Sequence, residues 1–278
     1  MIRLLATDLD GTLLRPDGTV SRRTVRSLAA ARRAGFGVVF VTGRPPRWLD
    51  EVVTATGHAG IAVCANGALL VDLDHDRVLA VDPLPGDLAA VVAGDLRAAL
   101  PSIHFAVEYA PRGSVRRGSA PFGREHRYPL RGDTDPSAPV ADIDQLTAHG
   151  EVVKLLVRTG PATVAGPDEL LAVARQVLGD RAEATHSSPT DTLLEISAPG
   201  VSKASALARH AASLGLSASQ VAAVGDMPND IPMLAWAGRS YAVTGGHPGA
   251  LAATDGRVAT AVEDGVAALL DELLAQHG

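Results

Sequence analysis

The sequence predicts an α/β fold: a largely parallel sheet covered on both faces by helices, interrupted by an inserted α+β module. Three observations lead there. Near-continuous apolar strands alternate with helical segments through residues 2–64, as expected for parallel strands buried on both faces. Near Pro83 the pattern changes to hairpin-like, antiparallel strands among helices. The strand–helix alternation then resumes at about residue 201. The expected division is a discontinuous core, 1–83 and 191–278, with an insert at 84–190.

The elements follow from local chemistry. Residues 2–7 are an apolar strand, and 21–34 a helix with Ser21 as N-cap and Gly35 past its end. Residues 37–42 read as a buried strand. Residues 45–56 form a helix with Pro45 and Pro46 in its first turn, followed by a strand at 60–64. Ala68 to Val71 and Val78 to Val81 form a hairpin. In the insert, helices are expected at 86–100 and 167–178 and strands at 103–109, 151–158 and 181–186, with weak periodicity over 110–140; a further strand is expected at 192–197. The closing segment carries a helix at 201–214, a strand at 220–224, a short helix at 230–236, strands at 240–243 and 256–259, and a last helix at 263–276.

Composition narrows the function. The chain has 278 residues, 46% hydrophobic but only 3% aromatic, so its core must be built mainly from Ala, Val and Leu. A net charge of −6 argues against a general nucleic-acid binder. No apolar run approaches the ~20 residues that span a bilayer, and the N-terminal run meets Asp8 too early for a signal peptide. A lone Cys64 fits a reducing cytoplasm. Only two of the 25 basic residues are lysines, Lys154 and Lys203, which marks both as positions that call for a compact point charge.

The chemistry concentrates at strand ends. Asp8-Leu9-Asp10-Gly11-Thr12 follows the first strand, whose alternation aims Asp8 and Asp10 at one point. Two converging carboxylates repel unless a cation or a shared proton lies between them, which suits Mg²⁺ and phosphate chemistry. A plain turn is the competing reading. Thr42-Gly43-Arg44 follows the second strand, offering a hydroxyl and free N–H groups to phosphate oxygens, or simply a turn. Gly225-Asp226-Met227-Pro228-Asn229-Asp230 follows another strand, with hard oxygen ligands on a short loop. Lys203 sits in the first turn of helix 201–214, where cations are slightly disfavoured. Asp8, Thr42 and Asp226 each follow a strand, so all three are expected to meet at the carboxyl edge of an open parallel sheet, where such folds bind ligands.

Together these motifs resemble those of the haloacid dehalogenase superfamily, Cof type (subfamily IIB). Ala65-Asn66-Gly67-Ala68 and Leu194-Glu195-Ile196 before Gly200-Val201-Ser202-Lys203 add to the likeness. The resemblance implies a Rossmann-like core with an inserted cap of the C2B type, and Mg²⁺-dependent hydrolysis of a small phosphorylated metabolite, sugar phosphates first. It implies Asp8 as nucleophile forming an aspartyl-phosphate, and Asp10 as acid and then base. It implies Mg²⁺ on Asp8, the Asp10 carbonyl and Asp226, with Asp230 orienting the metal shell. Phosphoryl oxygens would be held by Thr42, the Gly43 N–H, Lys203 and Asn229, with the Leu9 N–H as a further donor. Relatives that preserve the aspartyl-phosphate carry Thr where this chain has Asp10, which favours a phosphatase; a sugar phosphomutase and a silent phospholigand sensor are the alternatives. The substrate, and the choice between monomer and homodimer, stay open.

Several residues keep two readings. His247 lines the site mouth or is a solvated loop residue. Lys154 lies near the substrate or faces solvent. Arg44 anchors the following helix. The basic stretch Arg112, Arg116, Arg117, Arg124, His126, Arg127 and Arg131 builds a pocket for an acidic or polyhydroxyl body, or is a solvated loop.

Overall fold

The computed structural model describes residues 1–115, 122–129, 137–159 and 166–277. The chain begins with β1 (Leu4–Thr7), α1 (Arg22–Arg33), β2 (Gly37–Val41), α2 (Leu49–Thr56) and β3 (Ile61–Cys64), followed by the hairpin β4 (Leu69–Asp72) and β5 (Arg77–Val81). The insert supplies α3 (Gly86–Ala99), β6 (Ile103–Tyr109), β7 (Phe122–Arg124), α4 (Ile143–Ala148), β8 (Val152–Thr159), α5 (Pro167–Leu178), β9 (Glu183–Thr185) and β10 (Leu193–Ser197). The chain closes with α6 (Lys203–Ser213), β11 (Val221–Gly225), α7 (Ile231–Trp236), β12 (Arg239–Val243), α8 (Pro248–Ala252), β13 (Gly256–Val258) and α9 (Gly265–His277).

Among the described residues there are two sheets. The core sheet runs β13-β12-β11-β1-β2-β3-β4-β5, parallel from β13 to β3 and antiparallel through the hairpin. The cap sheet runs β7-β6-β8-β10-β9 and is antiparallel throughout. β1 lies at the centre of the core sheet and shows why both faces must be covered. Leu5 packs into one apolar layer with Phe40, Leu28 and Leu270, while Leu4 and Ala6 pack into the other with Val39, Leu207 and Met233. Aliphatic side chains dominate both layers, as the composition requires.

The elements depart from expectation in three places. The cap sheet does not end at 190: β10 pairs antiparallel with β8, so the crossing back to the core comes after Ser197, at Gly200 with φ +72°. α4, six residues beginning after Asp142, lies just past the stretch of weak periodicity and is too short to signal itself. The helix expected at 45–56 is broken at its start into a 3-10 turn, Pro46–Trp48, before α2.

Candidate active site

The first motif turns immediately after β1. The Leu9 carbonyl accepts the N–H groups of Thr12, Leu13 and Leu14 at 3.3, 3.0 and 2.8 Å, a tight loop that presents Asp8 and Asp10 beyond the strand end. Gly11 has φ +77°, and a Cβ there would sit 2.4 Å from an Asp226 carboxylate oxygen. Glycine is needed on both counts. Thr12 donates its hydroxyl to the other oxygen of Asp226 at 2.9 Å, which ties the first motif to the loop after β11.

Asp230 organises that loop from within. One of its oxygens accepts the N–H groups of Asp226 and Met227, both at 3.0 Å, and the other accepts Lys203 Nζ at 2.7 Å. Lys203 Nζ also donates to Asp8 at 2.6 Å and is wholly buried. Two carboxylates therefore explain a cation in the first turn of α6. Burial alone would lower the Lys203 ammonium, but Asp230 and Asp8 outweigh it and hold it above its ordinary value. One of its three N–H groups is left for a further oxygen.

The electrostatics of this cluster are unbalanced. Burial pushes Asp8 well above the usual carboxylate range; Lys203 offsets this in part, and Asp230, Asp226 and Asp10 push it further up. Burial, then the charge of Asp230, pushes Asp226 up to about 6. Ligand atoms of Asp8, Asp226 and Asp230 lie within 4.8 Å of one another. Crowded, desolvated carboxylates with too few cations fit a divalent hard cation. Asp8 and Asp226 would hold it, and Asp230, whose oxygens are already engaged, would orient the loop that carries Asp226.

Asp10 stands apart from that cluster. Its carboxylate is gripped by both arms of the Arg44 fork, Nε at 2.8 Å and Nη2 at 2.5 Å. Arg44 therefore acts on Asp10 directly, beyond the helix-anchoring role its sequence position suggests. Thr42 Oγ accepts the Arg44 N–H at 3.0 Å, which leaves its hydroxyl proton to donate outward. Asn229 Nδ2 donates to Asn66 Oδ1 at 3.1 Å, and Asn66 donates in turn to Glu195. That chain fixes both amide orientations and leaves one Asn229 N–H unused.

Above this floor is a cavity of about 590 Å³ reached by Asp8, Asp10, Thr42, Gly43 and Asn229. The cap sheet forms its far wall. On β8 the alternate residues Lys154, Leu156 and Arg158 line it, flanked by Leu193 and Glu195 of β10, Glu108 of β6 and Phe122 of β7. Trp48 and Tyr128 add aromatic surface. Arg158 is paired with both oxygens of Asp191 at 2.8 and 2.7 Å. Among the described residues, the basic stretch does not build this wall. Arg112, His126 and Arg127 are exposed, Arg124 is half-buried and off the cavity, and Arg116, Arg117 and Arg131 lie outside the described residues. Among the described residues, the cations on the cavity wall are instead Arg47, Lys154 and Arg158.

His247 meets the cap. Its Nδ1 accepts the Gly249 N–H at 3.0 Å, so its other nitrogen carries the proton and faces Asp168 of α5 at 3.2 Å. Asp168 also pairs with the buried His186 at 2.8 Å. Because Nδ1 is the acceptor, this trio reads as a hydrogen-bonded core–cap contact and not as a metal site.

The family model for haloacid dehalogenase-like hydrolases matches residues 5–270. The chain belongs to that family. Among curated relatives, the YxeH protein of Bacillus subtilis is 27% identical over 285 residues, 99% of each chain. The pyridoxal phosphate phosphatase YbhA of Escherichia coli is 40% identical over 83 residues, 30% of each chain. Among solved structures, BT1666 of Bacteroides thetaiotaomicron shares 23% identity at a TM-score of 0.76, covering 98% of this chain and 95% of its own. The subclass IIB sugar phosphatase BT4131 shares 17% at a TM-score of 0.76, covering 98% of each. At these identities the structures establish the fold, a haloacid dehalogenase core with its cap. No helix among the described residues is long and apolar enough to cross a membrane.

Proposed function

We propose that this protein is a Mg²⁺-dependent phosphatase of small phosphorylated metabolites, sugar phosphates first, working in a reducing cytoplasm. The observation that carries the reading is the placement of Asp8. It lies at the floor of an open cavity, bound to Lys203 and crowded by Asp226 and Asp230, with Asp10 held nearby by Arg44.

In the first step an Asp8 oxygen attacks phosphorus, and the bond from phosphorus to the ester oxygen breaks. Asp10, protonated, gives its proton to the departing alkoxide. In the second step water attacks the phosphorus of the aspartyl-phosphate, Asp10 takes its proton, and phosphate leaves with Asp8 restored. Thr42, the Gly43 N–H, Lys203 and Asn229 hold the equatorial oxygens. The Leu9 N–H is a further donor. Bound Mg²⁺ would supply charge neutralisation between the nucleophile and the phosphoryl group. The Arg44 fork orients Asp10 as the carboxylate that takes the water proton in the second step; one of its two contacts must open for Asp10 to carry the proton of the first.

A second reading of the substrate is a flat ring phosphate such as pyridoxal phosphate. Trp48, Phe122 and Tyr128 on the cavity wall favour it, as does the YbhA match. Phosphate release from a metabolite panel containing both classes, with Mg²⁺ and with chelator, tests the proposal. Release by the wild type, lost in Asp8→Asn and on chelation, supports it. No release from any compound returns weight to the mutase or the silent sensor, which a bisphosphate-activated isomerisation assay separates.

A further inference from the structure

Lys154 is the second of the two lysines and lies in the middle of β8, only 2% exposed. Its ammonium reaches across from the cap to the core. It donates to the backbone carbonyl of Gly43 in the core at 2.6 Å, and it faces Glu195 at 3.0 Å and its cross-strand neighbour Glu108 at 3.5 Å. Lys154 thus gives a hydrogen bond to the core while its charge is balanced by two buried cap carboxylates, of which Glu108 Oε2 has no hydrogen-bond partner of its own.

The carbonyl it takes is a consequential one. The Gly43 C=O and the Arg44 N–H belong to one peptide unit, and that N–H donates to Thr42 Oγ. The peptide is thus pinned at one end by the cap and at the other by the hydroxyl expected to hold phosphate. A second arm runs from the same ion pair. Glu195 accepts from Asn66, and Asn66 accepts from Asn229. Glu195 is also fixed by Ser187 at 2.8 Å, and Glu108 by Arg47 at 3.2 Å.

We infer that Lys154 is a positioning residue for the phosphate grip. Through Gly43 and Glu195 it sets the Thr42–Gly43 turn and the Asn229 amide, so the grip is complete only while the cap is docked. This rests on the proposed phosphatase reading. It differs from a specificity role in one respect that can be measured: orthophosphate has no body for a cap residue to recognise. A specificity residue leaves orthophosphate affinity unchanged, whereas a positioning residue changes it.

The test is orthophosphate binding with Mg²⁺, by calorimetry, in the wild type, Lys154→Met and the charge-balanced Lys154→Met/Glu195→Gln. The double variant guards against Lys154→Met unfolding around two buried carboxylates. The expected result is a phosphate Kd raised about tenfold or more in a folded variant, as for residues that orient direct ligands. Unchanged affinity in a folded variant overturns the inference. The wild type gives a check that needs no variant. Linkage is reciprocal, so orthophosphate must slow amide hydrogen exchange in cap residues 187–197, and unaltered exchange there overturns the coupling. A wild type that hydrolyses the panel while the variants keep their phosphate affinity refutes the inference alone. A wild type that releases nothing while phosphate affinity still falls in the variants refutes the phosphatase reading alone.

Discussion

The two charged clusters that face each other across the cavity are built on opposite principles. In the core, four carboxylates (Asp8, Asp10, Asp226 and Asp230) meet two cations (Lys203 and Arg44), an excess of two negative charges. In the cap-side network, Glu108 and Glu195 meet Arg47 and Lys154, and the charges cancel. Each cluster is organised by one of the two lysines. The imbalance in the core fits a site for a divalent cation. The balance at the cap is the mark of a joint: every charge is answered within the protein, so the network positions its neighbours.

Substitutions sharpen this contrast. Asp8→Asn should cost activity most, at least about 10³-fold in kcat, while leaving thermal stability equal or higher, because a crowded carboxylate becomes a neutral amide. Loss of both together would show that Asp8 is structural. Lys203→Met leaves Asp8 and Asp230 buried without their cation and should destabilise by about 3–5 kcal/mol, read as denaturant unfolding of the metal-free protein. Gly67→Ala probes the joint between core and cap return. Gly67 has φ +108°, and a Cβ there would lie 2.1 Å from the Ser202 carbonyl oxygen, beside Lys203. A loss of about 3 kcal/mol is expected; a neutral change would mean that this contact yields easily. Arg44→Ala should be the mildest in stability, under about 1 kcal/mol for a half-exposed pair, yet should lower kcat by releasing Asp10.

The same contrast governs what the sequence could reveal. The arrangement of the core was legible because its candidate residues sit at strand ends in short contiguous strings: Asp8 to Thr12, Thr42 to Arg44, Gly225 to Asp230. The local turn and the chemistry are written in the same few letters. Cap residues come from the middles of strands distant in sequence. Glu108, Lys154 and Glu195 are brought together only by the β6–β8–β10 pairing, which no local pattern states. One signal was available. Lys154, Leu156 and Arg158 alternate in an otherwise apolar strand, which marks a shared face that must meet something polar. The rarity of lysine singled out Lys154, but could not tell a solvent-facing side chain from one crossing into the core. Arg44 illustrates the same limit: its place in the motif suggests a helix anchor, and only the fold brings Asp10 against it.

The smallest effect, and the one that reads both clusters at once, is pH dependence. In the metal-free protein the Asp226 carboxyl titrates near 6, above its ordinary range, because burial and Asp230 disfavour its charge. A raised carboxyl favours the protonated fold, so this contribution to stability is present at low pH and declines as pH rises from about 4 to 6. Asp8 acts in the same direction. Glu195 behaves oppositely. Burial alone would raise it, but the Lys154 charge and the hydrogen bonds from Lys154, Ser187 and Asn66 hold it below its usual range. Its contribution is present above about pH 4.3 and is lost as pH falls further. In chelator, then, Tm should fall between pH 5 and pH 7, and Asp226→Asn should flatten that slope. Saturating Mg²⁺ should raise Tm more at pH 7 than at pH 5, because at the lower pH it must displace protons to bind. The Lys154→Met/Glu195→Gln protein should keep the core slope and lose part of the decline below pH 4.3. A metal-free wild type that instead grows more stable from pH 5 to 7 would show that the core carboxylates are not in excess, and the distinction between the two clusters would fail.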